Sequence, residues 1–220
     1  MKQQQLLSLL HLSSPSLPIG AFAYSQGLET AVDLGWVSNE QSLIQWIEPQ
    51  LKYSLSQLEV PLMSRCYQAW QAKDYGAIQH WQAILLANRD SAELLKEELQ
   101  LGSTLHRLLN SLDCNLPAEA KGLGYLPMFA YALAHFDIEL ESGLCSWLWS
   151  WLENQVTVAC KTIPLGQTPA QQTLLALMPA IEASVQHGLG VADEQIGMTL
   201  PNLAMVSAWH ETQYSRLFRS

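Results

Sequence analysis

The chain has 220 residues, of which 49% are apolar and only 14% are charged, whereas soluble domains usually carry about 25% charged residues. This composition excludes a disordered chain, because disorder requires low hydrophobicity together with high charge. The net charge is −9 and the few basic residues form no cluster, which argues against nucleic-acid binding.

The first predicted element is a short amphipathic helix. The run Leu6–Leu12 has leucines at helical spacing. An alternative is a secretory signal, since Lys2 precedes the run and Ala21-Phe22-Ala23 resembles a cleavage site. The polar residues Ser8 and His11 interrupt the run, so we favour the helix.

Helical periodicity continues through the middle of the chain, where sustained period-2 alternation is hard to find. Asn39 opens a segment with an apolar face, and Pro49 within it predicts a kink or a break. Two further helices are predicted, one around Pro61 and one over Tyr75–Asn88.

The clearest helix, Ser91–Leu112, is also the only strongly charged one. Ser91 is its predicted N-cap. Its leucines form an apolar face, and its first charged side chains are predicted to point mostly the other way: Glu93, Lys96, Glu97 and Glu98. The pattern therefore predicts a helix with a solvated face.

The next part of the chain is almost uncharged. Helices are predicted over Leu126–Phe136 and Ser142–Lys161, and from Ser142 to Ile181 the only charged residues are Glu153 and Lys161. A helix that is apolar all round lies in a core or in an interface. Neither helix has the roughly 20 apolar residues that span a membrane, so a partner protein is the favoured cover.

Glycine and proline mark the remaining boundaries. The pairs Gly122/Gly124 and Gly188/Gly190 are predicted to end helices. Thr168 is the predicted N-cap of a helix whose first residue is Pro169, and a last helix is predicted near Leu200–Trp209.

Together these elements predict one all-α domain over residues 1–220, a bundle of roughly eight to ten helices. Four cysteines lie far apart, and no CxxC pair is present. An even count would allow disulfides, but a chain of this size does not need them. We predict free, mostly buried thiols in a reducing cytosol: Cys66, Cys114, Cys145 and Cys160.

Ser25 lies in Ala-Tyr-Ser-Gln-Gly, which lacks one glycine of the nucleophile elbow of serine hydrolases. The elbow also needs a preceding strand, and the segment before Ser25 is predicted to be a loop. Ser25 is therefore predicted to cap a short helix that Gly35 closes. Glu29 and Asp33, at i and i+4, could be paired carboxylates, but a solvated face is the favoured interpretation.

No P-loop occurs, and none of the six histidines lies four residues from another. His210 opens the segment HETQY, which lacks the second histidine of a zinc-hydrolase motif. Two or three histidines meeting in space would still form a metal site. Near the end of the chain, Arg216 and Arg219 could clamp a phosphate or a carboxylate, or belong to an exposed terminus.

Four blocks of the sequence stand out together. They are residues 14–29 (SPSLPIGAFAYSQGLE), Arg89–Leu94 with Gln100–Gly102, Trp151–Val156 with Pro164–Thr168, and His210–Ser220. In this order they closely resemble the UreF family of urease accessory proteins. The match covers essentially the whole chain, and its first and last blocks are specific. Where the family often has Gly-Gln, this chain has Ala170-Gln171, which should only stiffen the start of a helix.

The resemblance implies a cytosolic, all-α protein that is not an enzyme and has no cofactor or metal ligands of its own. Such proteins form a dimer of heterodimers with UreD, also called UreH. That complex recruits the GTPase UreG and docks on apo-urease, and nickel is delivered to the urease active site.

The resemblance also implies roles for residues of the first and last blocks. Glu29 would act in metal-delivery fidelity and partner contact, while Arg216 and Arg219 would order the tail 210–220 against UreD and form a surface for UreG. The implied partner-binding residues are Tyr24, Ser25, Gly27, Glu29, Tyr214, Arg216 and Arg219. The alternative is a helical enzyme or metal binder that uses Ser25, Glu29 or clustered histidines.

Overall fold

A computed structural model describes residues 2–198 and 200–220. In this part the chain forms ten α-helices and no strand, which confirms the predicted fold class and helix number. The helices are α1 Gln3–Leu12, α2 Leu28–Asp33, α3 Glu40–Pro49, α4 Glu59–Ala72, α5 Tyr75–Ala87, α6 Ala92–Ser111, α7 Tyr125–His135, α8 Leu140–Thr162, α9 Gln167–Leu189 and α10 Pro201–His210.

The hydrophobic core is centred on α4 and α7. α4 packs against α5, α7 and α9, and α6 lies along α7. α7 buries every side chain from Leu126 to Leu133, because neighbouring elements cover it on all sides. α8 packs against α9 and also reaches α2, so the second half of the chain lies over the first.

Several helix boundaries follow local signals. Ser91 caps α6, since its Oγ accepts a hydrogen bond from the backbone N of Leu94 at 3.2 Å. Asn39 caps α3 through its Oδ1, which accepts from the backbone N of Ser42 at 3.0 Å. α3 ends at Pro49 and continues as a π-helical turn, which confirms the predicted break.

The predicted start of α9 is wrong by two residues. Gly166, not Thr168, precedes the first helical residue, and Pro169 is the third residue of the helix. Proline is tolerated there because the first four N–H groups of a helix have no partner within it.

The glycine pairs behave differently from the prediction. Gly190 follows the end of α9 as expected, but Gly188 lies inside that helix and Gly124 precedes α7. A Cβ atom on Gly188 would lie 2.5 Å from Cγ1 of Val60 and 2.7 Å from the carbonyl oxygen of Ser56. Glycine is therefore needed for the close approach of α9 to α4 rather than for ending a helix.

The charge-poor stretch from Ser142 to Ile181 divides between core and surface. In α8, Leu144, Leu148 and Leu152 are fully buried. In α9, Leu175 and Met178 are 62% and 43% exposed. α8 therefore has few charged residues because much of it is buried in the core, whereas α9 has few charged residues and also exposes an apolar surface.

Across the described residues, no helix combines the length and apolar character of a membrane span. The four cysteines are free, as predicted; Cys66 and Cys114 are buried, but Cys145 is only partly buried and Cys160 is exposed. Burial raises the pKa of the Cys66 thiol to about 12, which makes this thiol unreactive.

Candidate functional site

The conspicuous polar site of the molecule lies where its last residues meet the N-terminal block. The tail, residues 211–220, leaves α10 and runs back along the loop before α2. The backbone N of Arg219 donates to the carbonyl oxygen of Ala23 at 2.8 Å, and the backbone N of Ser25 donates to the main-chain oxygen of Ser220 at 2.8 Å. Phe218, which precedes Arg219, is buried, so the tail is anchored by both backbone pairing and packing.

Glu29 holds the tail from inside. Its Oε1 accepts from the backbone N of Leu217 at 2.6 Å, and its Oε2 accepts from that of Phe218 at 3.1 Å. The carboxylate is thus a charged acceptor for two main-chain donors. The predicted solvated face is wrong here, because the tail covers Glu29 and leaves it 5% exposed. Asp33 is not its partner; Asp33 accepts from the side chain of Gln213 at 2.6 Å.

His210 connects the tail to α6. Its ring is fully buried, and its two nitrogens lie within hydrogen-bond distance of Glu29 and Glu93. Arg216 also pairs with Glu93. Among the described residues, no group of three or more His, Cys, Asp and Glu side chains is arranged to hold a metal ion. His210, the first residue of HETQY, therefore belongs to a buried polar network that joins the tail, α2 and α6.

Ser25 is buried, and its hydroxyl donates to the main-chain oxygen of Ser220. The backbone N of Glu29 faces Ser25 Oγ at 3.4 Å, and Gly27 is the residue that immediately precedes α2. Ser25 thus contributes to the start of the helix without occupying the predicted cap position. Gly35 closes α2 as predicted, with φ of 75° and its N donating to Val32 at 2.9 Å.

Gly27 lets α10 approach the N-terminal block. It has φ of 82°, and a Cβ atom there would lie 2.7 Å from Cγ2 of Val206 on α10. Both the backbone conformation and the space therefore favour glycine.

The prediction that α6 directs Glu97 and Glu98 toward solvent is wrong, since each is only 5% exposed. Arg89 bridges Glu98, at 2.7 Å, and Glu59 of α4, at 2.6 Å. Glu98 also accepts from the backbone N of Leu126, at 2.8 Å, which ties α6 to the first turn of α7. A helical wheel missed these contacts because the groups that cover the two acids come from other parts of the chain.

Glu97 faces the tail. One carboxylate oxygen accepts from Nε2 of Gln26 and the other from Oγ of Ser220, each at 2.7 Å. Burial raises the pKa of Glu97 to about 7, against the opposing effect of these two bonds and of Arg89. We call the tail and the residues that hold it, Ala23, Ser25, Glu29 and Glu97, the tail clasp.

The clasp divides the predicted partner-binding residues into two groups. Tyr24, Ser25, Gly27 and Glu29 are buried, whereas the side chains at Tyr214, Arg216 and Arg219 are exposed. The structure thus brings the two sequence blocks together, with the N-terminal block beneath the tail.

Sequence reasoning missed an apolar surface next to the clasp. Met205 and Trp209 of α10 are 45% and 44% exposed, and the ring of Trp36 lies 6.3 Å from that of Trp209. The signal was available, because positions 205 and 209 are one helical turn apart on α10.

The fold and the clasp define an all-helical protein whose buried polar side chains hold its C-terminal tail against the segment Ala23–Glu29. The family model for UreF matches residues 37–178. A urease accessory protein UreF from Chromohalobacter salexigens is 49% identical over 217 residues, 98% of this chain and 94% of that protein. One from Teredinibacter turnerae is 48% identical over 219 residues, 98% and 99% of the two chains.

The chain therefore belongs to the UreF family of urease accessory proteins, as its sequence blocks predict. The relatives' names describe an accessory protein of urease and not a catalyst, so the chain is placed outside the enzymes.

Proposed function

We propose that this chain is a scaffold for nickel insertion into apo-urease, forming a complex with UreD (UreH) and recruiting the GTPase UreG. The proposal includes a homodimer within the complex and a cytoplasmic location. Nickel is cargo in this proposal, and the chain supplies no resident metal ligand. Identity of 48–49% over nearly the full length to proteins named urease accessory protein UreF supports this role.

The observation that carries the scaffold role is the display of the tail. Tyr214 is fully exposed and the Arg216 side chain is 37% exposed, while Glu29 pins the backbone that follows them. A partner that binds a preordered tail loses less conformational entropy than one that must order a flexible segment. In this proposal Tyr214, Arg216 and Arg219 contact the partner, and the buried Tyr24, Ser25, Gly27 and Glu29 act by positioning them.

The apolar surfaces fit the same proposal. Trp36, Met205 and Trp209 extend the exposed side of the tail, and Leu175 and Met178 form a separate exposed pair on α9. Exposed apolar patches of this kind are typical of protein interfaces. Two covering partners, UreD and a second copy of this chain, would account for both.

The enzyme alternative has little support. The side chains of Ser25 and Glu29 are enclosed and hydrogen-bonded to the tail, so no substrate reaches them while the clasp is closed. No histidine cluster supports the metal-binding version within the described residues.

A pull-down tests the proposal. The full chain should co-purify with the UreD homologue of the same organism, and deletion of Tyr214–Ser220 should abolish this while leaving the helical circular dichroism unchanged. The deletion removes the exposed side chains of the tail together with the buried Phe218 and Ser220, but it leaves the core around α4 and α7 in place.

As a control, Lys73→Ala removes an exposed charge at the residue that follows α4, outside the clasp, and should leave co-purification intact. Normal co-purification of the truncated chain would contradict the tail's role. Failure of the full chain to bind, under conditions in which a known UreF–UreD pair binds, would contradict the whole proposal.

A further inference from the structure

Glu97 is buried, and its carboxyl group has no ion pair of its own within the described residues. Its oxygens accept from two neutral donors, the amide of Gln26 and the hydroxyl of Ser220. Arg89, whose charge acts on Glu97, places its two terminal nitrogens on Glu59 and Glu98. A buried carboxylate that lacks a counterion is costly, and it commonly lowers this cost by binding a proton.

Burial favours the neutral form of Glu97 and is the main reason that its pKa is raised; the charge of adjacent Glu98 adds to this effect. The hydrogen bonds from Ser220 and Gln26 oppose it, as does the charge of Arg89. Five charged or titratable groups face Glu97 or share its cavity. They are Glu98 on the same helix, Glu59 on α4, Arg89 and Asp90 in the segment before α6, and Tyr125 on α7. One arginine thus stands among several acids, and it is already shared by two of them.

A proton can reach Glu97 without unfolding of the chain. Glu97 lines a cavity that offers water about 100 Å³ of space. Polar atoms line it as well, and Oε2 of Glu59 and Nε of Arg89 have no protein partner among the described residues. Water enters cavities with such polar atoms and can carry the proton.

We propose that the tail clasp is a pH-responsive latch, in which Glu97 holds a proton while Ser220 is docked on it and releases the proton when the tail leaves. Either Oε2 of Glu97 or Oγ of Ser220 then donates the hydrogen bond that joins them. The clasp closes more tightly in mildly acidic solution and loosens as the pH rises.

The direction of this pH dependence follows from the linkage between proton binding at Glu97 and docking of the tail. The pKa of Glu97 is about 7 with the tail docked, against an ordinary value of 4.5 for an exposed glutamate. The docked state therefore binds more protons between these values, so docking weakens as pH rises through that window and levels off above about pH 7. If Glu97 regains its ordinary pKa when the tail leaves, the equilibrium constant for docking of the tail falls about tenfold between pH 6 and pH 8.

Backbone amide exchange of the full chain, corrected for the intrinsic effect of pH, measures the latch. The reporting amides are Leu217, Phe218 and Arg219, each of which donates a bond within the clasp. Their protection should fall about tenfold from pH 6 to pH 8 in the unmodified chain. Glu97→Gln, which cannot ionise, should keep its protection nearly constant over this range.

The control is Glu153→Gln, the same change at a partly buried glutamate of α8, and it should keep the slope of the unmodified chain. Constant protection in the unmodified chain would overturn the proposal, and this outcome needs no variant to fold. A slope retained in Glu97→Gln would also overturn it, because the pH dependence would then arise from a group other than Glu97. The latch is a property of the isolated chain, so its failure leaves the scaffold proposal untouched.

Discussion

At the scale of single residues, a few buried acids determine how the ends of the chain are held. Glu29 accepts two backbone hydrogen bonds from the tail, and Glu97 accepts one side-chain bond from it. Arg89 neutralises a further two acids at the base of the same site. Removing one partner from such a network costs more than the bond itself, because the other partner stays buried and unsatisfied.

We expect Glu29→Ala to open the tail. Two backbone N–H groups lose a charged acceptor, which should cost about 2 kcal/mol and lower the protection of the Leu217 and Phe218 amides about 30-fold. Hydrogen exchange at fixed pH measures this. Asp33→Ala is the matched control, since it removes an exposed carboxylate that binds the tail only through Gln213, and its effect should stay below about fivefold. Equal effects of the two changes would contradict the assignment of Glu29 as the main anchor.

At the scale of elements, close contacts between helices depend on missing side chains. A Cβ atom on Gly102 of α6 would lie 2.4 Å from the backbone carbon of Gly124 and from the carbonyl oxygen of Leu123. These are backbone atoms at the start of α7, so they cannot rotate away as a side-chain tip would. Glu98 bonds the same turn of α7, and so this contact sets the distance between α6 and α7.

Gly102→Ala should therefore destabilise the fold although alanine is the better helix former. The helix preference would add about 1 kcal/mol, but forcing α6 from α7 should cost more, for a net loss of about 1–3 kcal/mol. Urea denaturation gives the free energy of unfolding. Gly76→Ala in α5 is the control, because its Cβ would meet only an Asp74 oxygen at 3.5 Å, and we expect an unchanged or slightly higher value. A stability gain in Gly102→Ala would refute the close-contact argument.

At the scale of the whole molecule, the apolar surface defines how the chain behaves without partners. The exposed pair on α9, Leu175 and Met178, lies on a helix with few charges to keep copies apart. Patches of this kind promote association in solution. The low charged fraction of the chain thus has two physical origins, a large core and an uncovered surface.

Replacing Leu175 and Met178 together by Gln should reduce self-association of the isolated chain and change its stability by less than about 0.5 kcal/mol. Light scattering after size-exclusion chromatography reports the mass, and urea denaturation reports the stability. The neighbouring Leu174, which is 6% exposed, is the contrast: Leu174→Gln should lower stability without improving solubility. An unmodified chain that remains monomeric at high concentration would contradict this expectation.

Sequence patterns alone predicted the helical class, a range of eight to ten helices that includes the observed ten, and the boundaries marked by Ser91, Asn39 and Pro49. Capping and proline geometry act over one helical turn, so these boundaries can be found locally. The sequence blocks also identified the family. The start of α9 was misplaced, since Thr168 and Pro169 are compatible with either of two helix starts and packing selected one of them.

Which acids are buried depends on contacts between distant segments of the chain. On α6 alone, Glu97 and Glu98 have the pattern of a solvated face, and Glu29 has that pattern on α2. The covering groups, Ser220 and Arg89 among them, come from other segments, and periodicity within one helix carries no information about them. The clasp, the proton that we assign to Glu97 and the display of the tail all depend on contacts between residues far apart in the chain.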